Sequence, residues 1–307
     1  MTIMLNSYAL SGRSYFVLKA LLKAVRPRQW PKNVLFIYAP LVFDGKLDDL
    51  PSLARVTAAT LLFILMSSAI YLLNDLADVE SDRQHPSKRN RPIASGLLPE
   101  GIARAAAILF ATISLIGGFL LASPLGLILL LYLGKQVAYS YWLKHVVLLD
   151  VFIIAVGFVL RVGAGVAVIE VERFSPWLYM CAGLLALFLG FGKRRQEIVL
   201  LGNDAQNHRS ILAEYSLELL DRIIGVVTTS LLVAYSLYTF LAEGLPENHL
   251  MMLTIPFVMY GIFRYLYLIH IKGEGGAPED IFFKDRPLQV DMALWGVMVM
   301  VTLYIAS

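Results

Sequence analysis

Residues 74–96, NDLADVESDRQHPSKRNRPIASG, hold the densest set of chemically capable side chains in the chain. On a helix advancing about 100° per residue, Asn74, Asp75, Asp78 and Asp82 fall at about 0°, 100°, 40° and 80°, within one arc, and Glu80 falls on the other side. Three carboxylates this close repel one another unless a cation offsets them. Oxygen-only donors suit a hard cation, and Mg²⁺ typically takes one or two carboxylates together with substrate phosphates. No Cys or His cluster accompanies them to favour zinc. Arg83, Lys88, Arg89 and Arg91 follow at once. Acid followed by base is the combination that a metal–diphosphate ligand needs, with carboxylates on the metal and Lys or Arg on the remaining phosphate oxygens. Pro86 and Pro92 break a helix, which predicts that residues 87–91 form a loop folding back over the acids. The plainer alternative is a solvated helix end whose acids pair with those same bases.

The elements that must position these residues are membrane spans. Hydrophobic residues make up 58% of the 307, charged residues only 16%, and mean hydropathy is +0.68. A soluble domain has fewer apolar and more charged residues, so a soluble enzyme and a disordered chain are both excluded. A span needs about 20 apolar residues. Nine segments qualify, at about 28–44, 55–74, 103–121, 125–142, 148–168, 176–192, 221–241, 251–271 and 288–306. Lipid requires each to be helical. The prediction is an all-α integral membrane protein, one polytopic domain over 1–307, with residues 1–27 as an N-terminal interfacial segment. Within that segment, residues 15–25 read as an amphipathic helix carrying Lys19 and Lys23 on one face.

Orientation follows from the basic residues. The N-terminal segment and the loops after even-numbered spans hold twenty Lys and Arg, against three on the opposite side. This places the N-terminus and the acidic stripe on the cytoplasmic face of the cell (inner) membrane. Lys135, Arg161 and Arg264 fall inside predicted spans, where a charge faces a cavity or an ion-pair partner. A net charge of +3 is too small to argue for a nucleic-acid partner. The single cysteine, Cys181, cannot form an internal disulfide.

At the acidic stripe the sequence resembles a known family. Asn74-Asp75-x-x-Asp78-x-x-x-Asp82 is similar to the first aspartate motif of the UbiA prenyltransferase superfamily. That resemblance implies helices around a central cavity with Mg²⁺–diphosphate at the cytoplasmic end. Members that transfer a prenyl group usually carry a second Asp-rich motif after span six. Here that position reads Gly192-Lys193-Arg194-Arg195-Gln196-Glu197, basic with one acid. Arg26-Pro27-Arg28-Gln29-Trp30-Pro31-Lys32-Asn33, Tyr139-Ser140-Tyr141-Trp142-Leu143-Lys144-His145, Leu160-Arg161, Gly192-Lys193-Arg194 and Gly275-Gly276-Ala277-Pro278-Glu279-Asp280 with Asp285-Arg286 resemble the decaprenyl-phosphate phosphoribosyltransferase branch. Asp150, where that branch has Glu, and Arg195, where it has an aromatic, depart from the pattern.

The resemblance implies transfer of 5-phosphoribose from phosphoribosyl diphosphate to a polyprenyl phosphate in the bilayer, in the service of cell-wall biogenesis. Asn74, Asp78 and Asp82 are then expected to hold Mg²⁺, with Asp75 assisting and Asp75 or Asp78 stabilising the oxocarbenium-like charge. Lys32, Asn33, Arg83, Lys88, Arg89, Arg91, Tyr139, Lys144, Lys193 and Arg194 are expected to contact the donor or the acceptor phosphate. Each also has a structural reading. Lys32 and Asn33 could anchor span one at the interface with Trp30, Lys144 could be an orienting charge, Lys193 could pair with Glu197 at i,i+4, and Asp285 could pair with Arg286. The rival enzyme reading is a prenyltransferase that moves a polyprenyl group from its diphosphate to an aromatic or other acceptor.

Overall fold

In lipid every backbone N–H and C=O must be paired within its own segment, so a chain this apolar folds as helices. The computed structural model describes residues 15–85, 88–170, 175–201, 210–243, 245–246, 248–274 and 278–306; of the stretches named above, 1–14, 86–87 and 275–277 lie outside these. No strand occurs among the described residues. The helices are α1 (residues 15–24), α2 (Pro31–Phe43), α3 (Leu50–Ala77), α4 (Val79–Gln84), α5 (Glu100–Leu121), α6 (Ser123–Tyr141), α7 (Leu149–Val166), α8 (Pro176–Leu201), α9 (Leu217–Leu241), α10 (Ile255–His270), α11 (Pro278–Lys284) and α12 (Arg286–Tyr304).

Each of the nine expected spans coincides with a helix, but among the described residues seven helices are long and apolar enough to cross a bilayer: α3, α5, α7, α8, α9, α12, and α10 with the 3-10 turn that leads into it. The exceptions are α2 and α6. α2 has 13 residues and an internal Pro40, about 20 Å of helix against a hydrocarbon core of about 30 Å. α6 has 19 residues but carries Lys135 and Gln136.

Packing divides the chain into two compact units. The first comprises Met1–Leu35 and Ala54–Gln136. Its core joins Ala20 and Ala24 of α1 to Leu72 of α3, Ile93 and Leu98 of the following turn, and Ala103 and Ala107 of α5. Alanines four apart on α1 and on α5 let neighbouring segments approach closely. The other face of α1 exposes Tyr15, Phe16, Leu18 and Leu22 together with Lys19 and Lys23. Ser114 donates to the Leu62 carbonyl at 2.8 Å, and Phe63 packs against Tyr132, ring centroids 4.7 Å apart. α5 and α6 are joined by Ala122 alone. A Cβ on Gly118 would lie 3.3 Å from the Gly126 Cα and one on Gly126 would run into the Phe119 ring, so the two glycines let this corner pack closely.

The second unit comprises Phe36–Leu53 and Val137–Ser307. α8 lies along both α7 and α9. Its Phe188 and Phe191 meet Val151 of α7, Leu220, Ile224 and Leu231 of α9, and Tyr265 of α10. Gly165 of α7 faces the backbone of α2, where an added Cβ would run into the Ile37 carbonyl oxygen. Gly165→Ala is therefore expected to lower stability by about 1–3 kcal/mol, the usual cost of overpacking. Thermal unfolding of the purified variant in detergent checks this, and an unchanged midpoint would mean that the two helices separate freely.

The charges inside predicted spans are satisfied locally. Arg161 donates to the Gly157 carbonyl at 2.6 Å, and Lys135 lies over the Tyr132 ring. Arg264 meets both carboxylate oxygens of Asp285, at 3.1 and 2.8 Å. Asp285 thus pairs with Arg264, not with the adjacent Arg286. It also accepts the Leu288 N–H as the N-cap of α12. The Arg264 hydrogen bonds hold its carboxyl below the usual carboxylate range against a smaller opposing effect of burial.

Candidate active site

The last turn of α3 presents Asn74 and Asp75, and the helix then breaks at Asp78 (φ −96°, ψ 5°) and restarts as α4. The expectation of one uninterrupted helix fails at that residue. Hydrogen bonding nonetheless carries through the break: the Asp78 N–H donates to the Asn74 carbonyl at 3.0 Å and the Asp82 N–H to the Asp78 carbonyl at 2.8 Å. Asp75 and Asp82 therefore stay on one side, and both are buried. Asp78 is half-buried at the N-cap of α4, where its side chain makes no capping bond. Glu80 is exposed, as the helical spacing predicts.

Of the loop expected over 87–91, the described residues 88–91 bring Arg91 back onto the acids. After His85 turns extended, a 3-10 turn at Lys88–Asn90 leads to Arg91. The Arg91 Nη1 donates to Asp82 Oδ2 at 2.7 Å and to Asp75 Oδ1 at 3.1 Å. Buried Ile93 and Leu98 anchor the return, and Gly96 supplies the positive φ (77°) that the turn requires. A second guanidinium comes from Arg26, whose Nη2 donates to Asp75 Oδ1 at 2.6 Å while its plane lies over the Tyr71 ring. Arg26 has φ 54° between α1 and the turn Pro27–Gln29. A non-glycine residue in this region costs about 1–2 kcal/mol.

Two buried carboxylates are thus balanced by two guanidiniums. Three acids do not gather: among the described residues no group of three His, Cys, Asp or Glu side chains is arranged to hold a metal ion. The break displaces Asp78 from the regular helical course, and Arg91 occupies the position between Asp75 and Asp82. The donor set still fits a hard divalent cation, because Mg²⁺ needs only one or two carboxylates when phosphates complete its shell. The guanidinium nitrogen shared by both carboxylates carries the positive charge at this position.

The remaining residues expected at the site separate into two groups. Lys88 and Arg89 are exposed on the 3-10 turn. Lys32 bonds Gln29 and lies near the Tyr71 ring that also carries Arg26. Asn33 is buried and donates to Ser67 Oγ at 3.1 Å, tying α2 to α3. Arg83 points away from the acids, to the exposed Glu80 at 2.6 Å and Glu100 at 3.0 Å.

In the second unit, Arg194 is only 3% exposed. Its Nε donates to Asp150 Oδ2 at 2.7 Å and its Nη1 to Glu197 Oε2 at 2.6 Å. The partner of Glu197 is therefore Arg194, three residues before it, not Lys193. The charge of Arg194, expected on a phosphate, is already matched by two carboxylates. Tyr215 donates to Asp150 Oδ1 at 2.6 Å and accepts the Leu148 N–H at 2.7 Å. Burial first, and then the Asp150 hydrogen bond, push its phenol above the usual tyrosine range, so it remains a donor. Tyr139 interacts electrostatically with Arg194, and Lys144 and Lys193 are half-buried. Arg195 pairs with Asp221 at 2.6 Å.

A model of the UbiA prenyltransferase family matches residues 36–284. The chain belongs to the UbiA prenyltransferase family. Like the family, it is a multi-pass membrane enzyme. Among UbiA relatives, it is 35% identical over 276 residues to decaprenyl-phosphate phosphoribosyltransferase of Mycobacterium tuberculosis, covering 89% of this chain and 90% of that one. It is 36% identical to the protein of the same name in Mycolicibacterium smegmatis, covering 91% of each. The fold is that of a UbiA homolog from Archaeoglobus fulgidus bound to GPP and Mg²⁺, with a TM-score of 0.71 at 18% identity, covering 93% of this chain and 100% of that one.

Sequence reasoning missed three partners in this UbiA chain. Arg26 counted as an orienting charge and as the start of a resembling stretch, not as a partner of the acids, although Pro27, which disfavours helix in the residue before it, marks where α1 must end. Asp150 and Tyr215 had no local signal, because Arg194 is 44 and 21 positions away from them in sequence.

Proposed function

We propose that this chain transfers 5-phosphoribose from phosphoribosyl diphosphate to a polyprenyl phosphate and releases diphosphate. The observation that carries this reading is identity of about 35% along nine-tenths of both chains with enzymes named for that transfer. The buried acid pair with basic residues returning over it supports a diphosphate-binding role. Asn74, Asp78 and Asp82, with Asp75 beside them, are the residues proposed to hold Mg²⁺, which when bound would neutralise charge on the leaving diphosphate. Arg91, Arg26, Lys88 and Arg89 would grip phosphate oxygens, for which guanidinium forks are suited. Lys144 and Lys193 are further proposed phosphate ligands. Arg194 is assigned instead to holding the end of α8 to α7.

In the proposed reaction the C1–O bond of the ribose breaks toward diphosphate while an acceptor phosphate oxygen bonds to C1 from the opposite face. The acceptor is already an anion near neutral pH, so no strong general base is needed. Carboxylates near C1 would stabilise the oxocarbenium-like charge. The basic-residue bias supports a cytoplasmic-facing site for this chemistry, proposed to be at the inner membrane.

The test uses purified protein in detergent with Mg²⁺, in two tubes. The first contains ribose-labelled phosphoribosyl diphosphate and polyprenyl phosphate, and the second a polyprenyl diphosphate and an aromatic acid. Label in an organic-extractable lipid, with inverted anomeric configuration, is the expected result in the first. Prenylated aromatic in the second tube alone would move the chain to prenyl transfer. Retained configuration would overturn the single displacement.

A further inference from the structure

We infer that Arg91 is a cation placeholder that makes divalent-metal binding conditional on diphosphate. This deepens the reading above and rests on it. A single nitrogen of Arg91 lies 2.7 Å from Asp82, one of the proposed metal ligands, and 3.1 Å from Asp75 beside it, so it covers carboxylate oxygen that a metal ion would use. The three groups are not equally fixed. The carboxylates sit on α3 and α4 with side chains 3% and 2% exposed, whereas the Arg91 side chain is 29% exposed and follows a 3-10 turn. The guanidinium is therefore the member able to leave. The guanidinium of Arg26, itself 35% exposed, also faces Asp75 at 2.6 Å, so a metal ion arriving alone would meet a second cation at the Asp75 oxygen that Arg91 shares. A diphosphate changes both sides of this exchange. It offers the guanidinium oxygens in the planar arrangement that suits its fork, and it offers the metal the phosphate ligands that the protein lacks. Metal and diphosphate then enter together, and when diphosphate departs Arg91 returns to the carboxylates. Asp75 and Asp82 thus remain neutralised in both states.

The experiment measures Mn²⁺ retained by the full-length protein in detergent micelles on equilibrium ultrafiltration, with and without inorganic diphosphate. Free Mn²⁺–diphosphate passes the membrane and is not counted. Wild type is expected to hold Mn²⁺ about ten- to a hundredfold more tightly with diphosphate than alone, the range given by one charge-assisted hydrogen-bonding group. Arg91→Gln is expected to bind Mn²⁺ alone tighter than wild type by a similar factor and to lose most of the dependence on diphosphate. Arg91→Lys keeps the charge but not the fork. It is expected to fall between the two, and it decides the matter if the Gln variant does not purify as a folded protein. Equal Mn²⁺ affinity of variants and wild type without diphosphate would overturn the placeholder while leaving a metal–diphosphate site standing. Failure of every protein to retain Mn²⁺ even with diphosphate would remove the metal site and the placeholder together.

Discussion

Asp78→Asn is expected to reduce Mg²⁺-dependent transfer by about a hundredfold or more, because charge stabilisation by a bound metal is worth several kcal/mol and each 1.4 kcal/mol is tenfold in rate. The midpoint of thermal unfolding should move little. Asp78 is the cleanest of the three acids to test. Asp75 and Asp82 are buried and bonded to Arg91, and Asp75 to Arg26 as well, so removing either charge leaves a guanidinium uncompensated and mixes a folding defect with a catalytic one. Asp78 caps no helix with its side chain. Transfer at several Mg²⁺ concentrations, alongside the unfolding midpoint, separates the two effects. Full activity in the Asn variant would remove Asp78 from the site.

Asp150→Ala should be the most damaging single change to stability, by about 3–5 kcal/mol, the usual cost of removing one partner of a buried ion pair. Asp150 is completely buried, Arg194 nearly so, and Asp150 also receives the Tyr215 hydroxyl. Its loss would leave Arg194 facing Glu197 alone and free Tyr215, which holds the Leu148 N–H where the backbone takes a φ of 68° before α7. Asp150→Asn loses the charge but keeps one acceptor oxygen for Arg194 and presents an NH2 that the Tyr215 hydroxyl can accept, and should lose less. Thermal unfolding in detergent ranks the variants. An Ala variant as stable as wild type would mean that Arg194 finds water or Glu197 sufficient.

The spans were legible in the sequence because lipid enforces one rule along the whole chain, and every apolar run of the expected length is helical. α2 departs because a run of apolar residues does not report where a helix starts; Pro31 begins it and Asp44, in the turn beyond Phe43, lies past its end. The acidic face was legible from the spacing of Asp75 and Asp82 alone, and the returning loop from Pro86 and Pro92. The break at Asp78 was not, since no proline or glycine marks it. Partner choice was the least legible. Local spacing offered Lys193 to Glu197 and Arg286 to Asp285, whereas the observed partners are Arg194 and Arg264. The Arg194 fork reaches Asp150 and Glu197 at once, which the point charge of Lys193 could not, and Arg264 meets both oxygens of Asp285 from across the chain, which sequence adjacency does not report. Asn33 turns inward to Ser67 for a related reason: a buried amide must find a partner, and the neighbouring helix supplies one.

The one-residue link at Ala122 has a consequence for how the protein enters the bilayer. α6 carries Lys135 and Gln136, and a charged residue near the centre of a span opposes insertion by about 2.5–3.5 kcal/mol. α5 is strongly apolar. With no loop long enough to let them insert separately, the two helices must partition as a hairpin, and the surplus apolarity of α5 carries α6 with it. A topology reporter or an insertion placed between them would break that coupling and strand the weaker helix at the surface.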